Sequence, residues 1–284
     1  MVTRDEEKSL AVCRRFQNQY STHFRFLVQP GAGKSEALNL GIAEARGELI
    51  ALTDDDVIVA PDYIGGVLDT FRGHPFDGAQ GRIFLECPGG LPKWMSSQHA
   101  KFMSRRDFGE QIQAFHETLT GTNMVVRAEI ARAVGGFALE LGAGTSVGFA
   151  EDTEFSIRLE KAGYRFIYAP QIVVRHQLPR HRLTRSFFRH RYFRLGRSHA
   201  YYEAFPPVAL WRFGLYVAKN WIFREAQAFW YRFANQPAKA LDFQCEARLQ
   251  AGFFLQHLLF FFGTPRRLTQ VTRWSGITAN REWN

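Results

Sequence analysis

Residues 48–53, ELIALT, run directly into Asp54, Asp55 and Asp56. A short apolar run of this kind reads as a strand, here expected to be buried, and a strand that ends in three carboxylates narrows what the chain can become. In open α/β sheets, ligands bind at the carboxyl ends of the strands. Three adjacent carboxylates repel one another, so that edge calls for a compensating cation. Alternate residues of an extended chain point the same way, so Asp54 and Asp56 can face one site together. Oxygen ligands of this kind suit Mg²⁺ or Mn²⁺, which keep positions open for phosphate oxygens. The plainer reading is a solvated acidic turn capping the next helix.

The segments around this strand alternate. Residues 10–20 read as a helix and 24–29 as a strand; Ala37, Leu38, Ile42 and Ala45 fall at helical spacing before Gly47. Residues 62–73 read as a helix with Pro61 near its start, and 77–86 as a strand. The pattern predicts an α/β domain with a largely parallel sheet. Further on, TGTNMVVRAEIARAVGGF predicts a strand, a helix and a Gly-Gly turn, and EDTEFSIRLEKAGY a helix with Phe155, Leu159 and Ala162 on one face. RFIYAPQIVVRH predicts a strand, a turn and a strand ending at His176. From about Leu183 the chain reads as helical, basic and aromatic, which divides it into residues 1–182 and 183–284.

The stretch QPGAGKSEALNLG, residues 29–41, outlines a phosphate-binding loop. That loop needs a glycine five residues before Gly33, where this chain has Val28, and Gly31 does not replace it. An NTPase is therefore set aside. A second acidic cluster, Glu151 and Asp152, opens a helix after the glycine-rich LGAGTSVG. A carboxylate there is either a helix cap or a general base beside a substrate hydroxyl. His176 at a strand end is a candidate metal ligand.

Lys and Arg number 36 against 27 Asp and Glu, which suggests an anionic partner. No acidic residue occurs between Glu160 and Glu203, where Arg175, Arg180, Arg182, Arg185, Arg189, Arg191, Arg194 and Arg197 all fall. Lipid phosphates are favoured as the partner of this stretch, then a solvated helix face, with nucleic acid last. Three cysteines without paired spacing argue against a disulfide framework or a zinc site and fit a reducing compartment. The polar first ten residues do not read as a signal peptide. Residues 251–263, AGFFLQHLLFFFG, are too short and too interrupted to span a bilayer. They fit a buried helix or an interfacial one equally.

Three blocks, GKSEALNLGIAEARGELIALTDDDVIVAPDYI, GTNMVVRAEIARAVGGFALELGAG and GFAEDTEFSIRLEKAGYRFIYAPQIVVRH, resemble in order and spacing the family 2 glycosyltransferases of GT-A fold, over roughly residues 24–197. The resemblance implies an open α/β sheet flanked by helices. It implies inverting transfer of a sugar from a nucleotide diphosphate donor to a hydroxyl of a glycan or lipid-linked acceptor, assisted by Mn²⁺ or Mg²⁺. Asp152 then corresponds to the general base, with Glu151 beside it. Lys34, Asp54 and Asp55 fall on the donor nucleotide, Asp56 and His176 on the metal, and Gly121, Thr122 and Asn123 on the donor and acceptor pocket. A cytoplasmic protein in peripheral contact with an anionic inner membrane face is expected, working on cell-envelope glycans. Relative to the family, the first strand and most of the second are missing, so an unfilled slot or an exposed sheet edge is expected. An inactive remnant is the alternative, and a nucleic-acid-binding protein the next. QVTRW, residues 270–274, spells the motif of processive members but lies too far from Glu151–Asp152 to serve as one.

Overall fold

The computed structural model describes residues 2–263, apart from residues 5, 6, 21, 22, 30, 32, 74 and 204–208. QVTRW lies outside the described residues. The chain forms two compact units: residues up to 146 together with 151–180, and Val147–Ala150 together with the residues from His181 onward.

The first unit begins with β1 (Val2–Arg4), α1 (Glu7–Gln19) and β2 (Leu27–Gln29); β1 and β2 pair in parallel as a two-stranded sheet. Next come α2 (Lys34–Glu44), β3 (Leu49–Thr53), β4 (Val57–Val59), α3 (Tyr63–Gly73), β5 (Gly78–Glu86) and α4 (Ser97–Phe102). Then follow β6 (Gln113–Phe115), β7 (Asn123–Arg127), α5 (Ala128–Ala133), α6 (Glu151–Lys161) and β8 (Phe166–Gln177). The larger sheet has the order β3-β7-β5-β8-β4, with β6 also on β8.

The expected parallel sheet is corrected to a mixed one. β3 and β5 do point the same way, but β7 lies between them and runs antiparallel to both; only β5 and β8 pair in parallel in this sheet. The strand before β7 is β6, joined to it by residues 116–122 with no helix between, so no strand–helix–strand crossover forces β7 to run parallel.

Asn123, Met124, Val125 and Val126 of β7 are all buried. The apolar run Met124–Val126 suits a central strand covered on both faces. Met124 and Val126 join one core with Ile50, Phe155, Leu159, Phe166 and Tyr168. Val125 joins the other with Val67, Ile83, Ile167 and Val174. Phe155 stacks on Phe137 at 4.2 Å between centroids. Ala162, expected on the same face, lies past the end of α6 and is exposed.

β3, expected to be buried, is only partly so. Ile50 faces the core while Ala51 and Thr53, which point to the opposite face of the terminal strand, are exposed.

The expected turn in RFIYAPQIVVRH is a bulge within one strand. Gly81 pairs with Ala169 and Arg82 with Val173, so Pro170, Gln171 and Ile172 stand opposite no partner. Gln171 Nε2 donates to Thr70 Oγ1 at 2.6 Å, which ties the bulge to α3. Past it, β8 pairs antiparallel with β4, bringing His176 opposite Val57 and next to the aspartate triplet.

The second unit contains α7 (Arg185–Tyr202), α8 (Leu210–Phe233) and α9 (Pro237–Phe261). α7 and α9 cross closely at two glycines. A Cβ on Gly196 would lie 1.9 Å from the Leu249 carbonyl oxygen, and one on Gly252 would lie 2.0 Å from that of Phe193. Phe213 and Val217 of α8 pack with Ala200 and Phe253. The apolar end of α9 is divided: Gly252, Phe253, Gln256 and His257 are buried, and Phe261 and Phe262 are exposed. No described helix is long and apolar enough to cross a membrane. Cys13, Cys87 and Cys245 form no disulfide.

Candidate active site

The Gly-Lys-Ser turn is tied to the chain itself. The Lys34 amide donates to the Ala143 carbonyl at 2.8 Å, and the buried Ser35 hydroxyl donates to the Leu141 carbonyl at 2.7 Å. A phosphate-binding loop leaves such groups free for the ligand. Here they fasten the start of α2 to the glycine-rich loop before α6. Ser35 is thus a structural residue that the sequence motif disguised.

Four segments meet at the carboxyl end of β3. Lys34 Nζ lies 2.6 Å from Asp54 Oδ1 and 3.1 Å from Glu151 Oε1. Thr122 Oγ1 donates to Asp54 Oδ2 at 2.8 Å. The Gly121 amide donates to Asp152 Oδ2 at 2.9 Å, and the Thr153 amide to Asp152 Oδ1 at 2.8 Å. Glu151 and Asp152 occupy the first turn of α6, where the helix dipole favours negative charge. A Cβ on Gly121 would lie 3.6 Å from Asp152 and 3.9 Å from Lys34 Nζ, so a glycine keeps this space open.

The electrostatics follow from one cation among three carboxylates. Burial works against the Lys34 charge, but Asp54, Glu151 and Asp152 outweigh it and hold the ammonium well above its ordinary pKa. Burial would raise Asp54; the Lys34 charge and the hydrogen bonds from Lys34 and Thr122 overcome that and hold it low. Glu151 moves the other way. Burial, and then the Asp152 charge, raise its pKa further than Lys34 lowers it. Asp54 therefore stabilises the fold above the ordinary carboxylate pKa and loses that contribution as pH falls through its depressed value. Glu151 favours the fold when protonated and loses that as pH rises through its elevated value.

Replacing Lys34 with Met should cost about 2 kcal/mol at neutral pH, below the range for a fully buried pair because Lys34 is partly solvated. The loss should shrink as pH falls and Asp54 takes up a proton. Urea unfolding at two pH values checks this; a loss independent of pH would contradict the charge assignment.

Asp56 and His176 form a second centre. His176 Nδ1 lies 3.2 Å from the Met103 carbonyl oxygen, which can only accept, so Nδ1 carries a proton there. In the neutral ring Nε2 then presents a lone pair, and it faces Asp56 Oδ1 at 3.3 Å. Two acceptors at that distance require a proton or a cation between them. The pair thus fits a divalent cation with an orienting carbonyl behind the imidazole. Among the described residues no group of three His, Cys, Asp or Glu side chains could hold an ion alone. A cation here would take its remaining ligands from substrate oxygens or water. Asp55 is exposed, between two residues that are less so.

Asn123 opens β7, next to Gly121 and Thr122. It is fully buried; Tyr63 Oη donates to its Oδ1 at 3.0 Å, and its Nδ2 donates to the carbonyls of Arg82 at 3.0 Å and Ile172 at 2.9 Å. It fills the space over Gly81 and clamps the β8 bulge. Gln80, which the sequence did not single out, supports the same turn: its Oε1 accepts from the Thr120 amide at 2.7 Å and its Nε2 donates to the Asn123 carbonyl at 3.0 Å. An uncharged Gln within a strand carries no sequence signal of such a role. Arg106 was also missed. Burial pulls its pKa down, and the charges of Glu117 and Asp152 offset part of that fall.

The sequence model of the family described as "Glycosyltransferase like family 2" matches residues 1–194. A glucosyl-dolichyl phosphate glucuronosyltransferase of Haloferax volcanii is 27% identical over 188 residues, 62% of this chain and 58% of its own length. The succinoglycan biosynthesis protein ExoM of Rhizobium meliloti is 27% identical over 174 residues, 60% of this chain and 53% of its own length. The chain thus spans a little over half of these curated relatives. Among solved structures, the mannosyltransferase PcManGT of Pyrobaculum calidifontis, in complex with GDP-Man and Mn²⁺, superposes with a TM-score of 0.51 at 15% identity. That match covers 93% of this chain and 67% of the other, and at this identity it speaks to the fold.

Proposed function

The chain belongs to the family 2-like glycosyltransferases, and on that premise we propose that it transfers a sugar, with inversion, from a nucleotide diphosphate donor to a hydroxyl group. The observation that carries the proposal is the carboxylate of Asp152, oriented by the Gly121 amide at 2.9 Å beside the Lys34–Asp54 pair at the carboxyl end of β3. Displacement at an anomeric carbon needs one base and no protein nucleophile. Asp152 takes the proton of the acceptor hydroxyl as its oxygen bonds to the anomeric carbon, and the bond to the nucleoside diphosphate breaks. The Gly121 amide fixes the orientation of the carboxylate for that step.

Asp54, ionised and held by Lys34 and Thr122, is the acceptor for donor groups on the nucleoside. Glu151, whose proton affinity burial raises, supports Lys34 from the other side. Asp56 and His176 would hold a Mn²⁺ or Mg²⁺ ion, which supplies charge neutralisation for the departing diphosphate. Arg106 adds a basic group in electrostatic reach of Asp152. The acceptor is a glycan or a lipid-linked saccharide, a reading supported by the dolichyl phosphate and succinoglycan names of two relatives.

Calorimetric titration with UDP and GDP tests the donor half of this reading without an acceptor. One of them should bind in the micromolar range with Mn²⁺ present and at least about tenfold more weakly in EDTA. Absence of binding by both nucleotides in Mn²⁺ would remove the donor site.

A further inference from the structure

The second unit carries a feature that glycosyl transfer does not use. Its charge is one-sided: residues 181–263 hold twelve Lys and Arg against four Asp and Glu. On α8, Trp211, Leu215, Ile222, Phe229 and Phe233 follow one another at intervals of four and seven residues, so they share one face of the helix. That face is bare: Trp211 is 64% exposed, Ile222 72% and Phe233 84%. Trp230 and Phe223 widen it. A contiguous apolar surface of this kind marks an interaction site in a soluble protein.

A groove of about 650 Å³ opens beside the same helix, lined by Ser186, Arg189, His190, Phe193, Trp221 and Arg248. Trp221 directly precedes Ile222 of the bare face. The Arg248 guanidinium lies 3.8 Å from the Trp221 ring centroid. Arg248 Nη1 is 3.3 Å from Glu225, and Arg189 Nη1 donates to Gln244 Oε1 at 3.3 Å. Burial, and the nearby Arg189 charge, pull the Arg248 pKa down. Two guanidinium groups and an imidazole thus converge on one groove, with the Glu225 carboxylate paired to Arg248. The cost of gathering like charges is relieved by an anion.

We infer that this unit docks on an anionic bilayer, with the bare face of α8 in the headgroup–acyl boundary and a lipid phosphate held by Arg189, His190 and Arg248. The apolar stripe lies on α8, and the groove reaches that helix through Trp221 while its basic residues come from α7 and α9; an apolar surface and cationic groups thus occur together in one unit, as interfacial binding needs. The aromatic residues suit that depth, since their rings tolerate the boundary. The end of α9 fits a buried or an interfacial helix equally by sequence. That segment buries Phe253, Gln256 and His257 and exposes Phe261 and Phe262, so the longer bare stripe is the one on α8.

Vesicle co-sedimentation of the full chain tests this. Mixed phosphatidylcholine–phosphatidylglycerol vesicles should bind at least about tenfold more tightly than phosphatidylcholine alone. Arg189→Gln with Arg248→Gln should weaken binding to the mixed vesicles by roughly fivefold per arginine. Arg189→Lys with Arg248→Lys should retain it, which separates charge from misfolding. Ile222→Asn with Phe229→Asn should weaken binding to both vesicle types. Failure to bind vesicles, or equal binding by the Gln and wild-type chains, overturns the inference. So does self-association that the Ile222 and Phe229 changes abolish, or calorimetric binding of glycerol phosphate by a chain that ignores vesicles.

Discussion

Asp152→Asn should lower the rate of the proposed sugar transfer roughly 10³-fold while donor affinity stays within about twofold. The substitution keeps the shape of the side chain and an oxygen that accepts from the Gly121 amide. It removes the carboxylate that the proposed mechanism uses to take the proton of the acceptor hydroxyl. It also costs the contact in which the Thr153 amide donates to the second oxygen. That contact contributes about 1 kcal/mol, so a small fall in Tm accompanies the loss of rate. The measurements are steady-state kinetics and donor titration on the same preparation. Parallel losses of rate and donor affinity would take the base role away from Asp152 and make it a donor-binding residue.

Asp56→Ala has the second large effect. It should reduce Mn²⁺-dependent nucleotide affinity at least about 100-fold, since even supporting residues around metal ligands contribute tenfold to 100-fold. Binding in EDTA should be unchanged, because Asp54, Lys34 and Thr122 form a separate hydrogen-bonded group. His176→Gln serves as a companion. It leaves Asp56 in place but removes the imidazole that faces it at 3.3 Å. Nucleotide titrations across a Mn²⁺ series check both. An Asp56→Ala chain with wild-type Mn²⁺ dependence would move the cation elsewhere.

The amino-acid pattern revealed the element types better than their arrangement. ELIALT and NMVV are apolar runs bounded by polar turns, and they form β3 and β7. Nothing in either run says that β7 enters between β3 and β5, because strand order depends on long-range packing that local periodicity does not encode. The bulge in β8 was visible only as a break at Pro170; its cause, Asn123 clamped against Ile172 and Arg82, lies 49 and 41 residues away in sequence. The acidic clusters stood out because adjacent carboxylates are costly without a partner. Lys34 is that partner for Asp54 and Glu151, and its own motif pointed instead to a phosphate loop. The bare stripe on α8 was hidden for another reason. A helix rich in aromatic residues on several sides gives no sign of which side is covered until its neighbours are in position.

The most direct test of the account is release of nucleoside diphosphate from a panel of UDP- and GDP-sugars, with Mn²⁺ and an acceptor mixture of glycans and lipid-linked saccharides. At least one donor should be turned over, with Mn²⁺ dependence and with loss of activity in Asp152→Asn, and the anomeric configuration of the product should be opposite to that of the donor. A product that retains the donor configuration, or full turnover by Asp152→Asn, would contradict it.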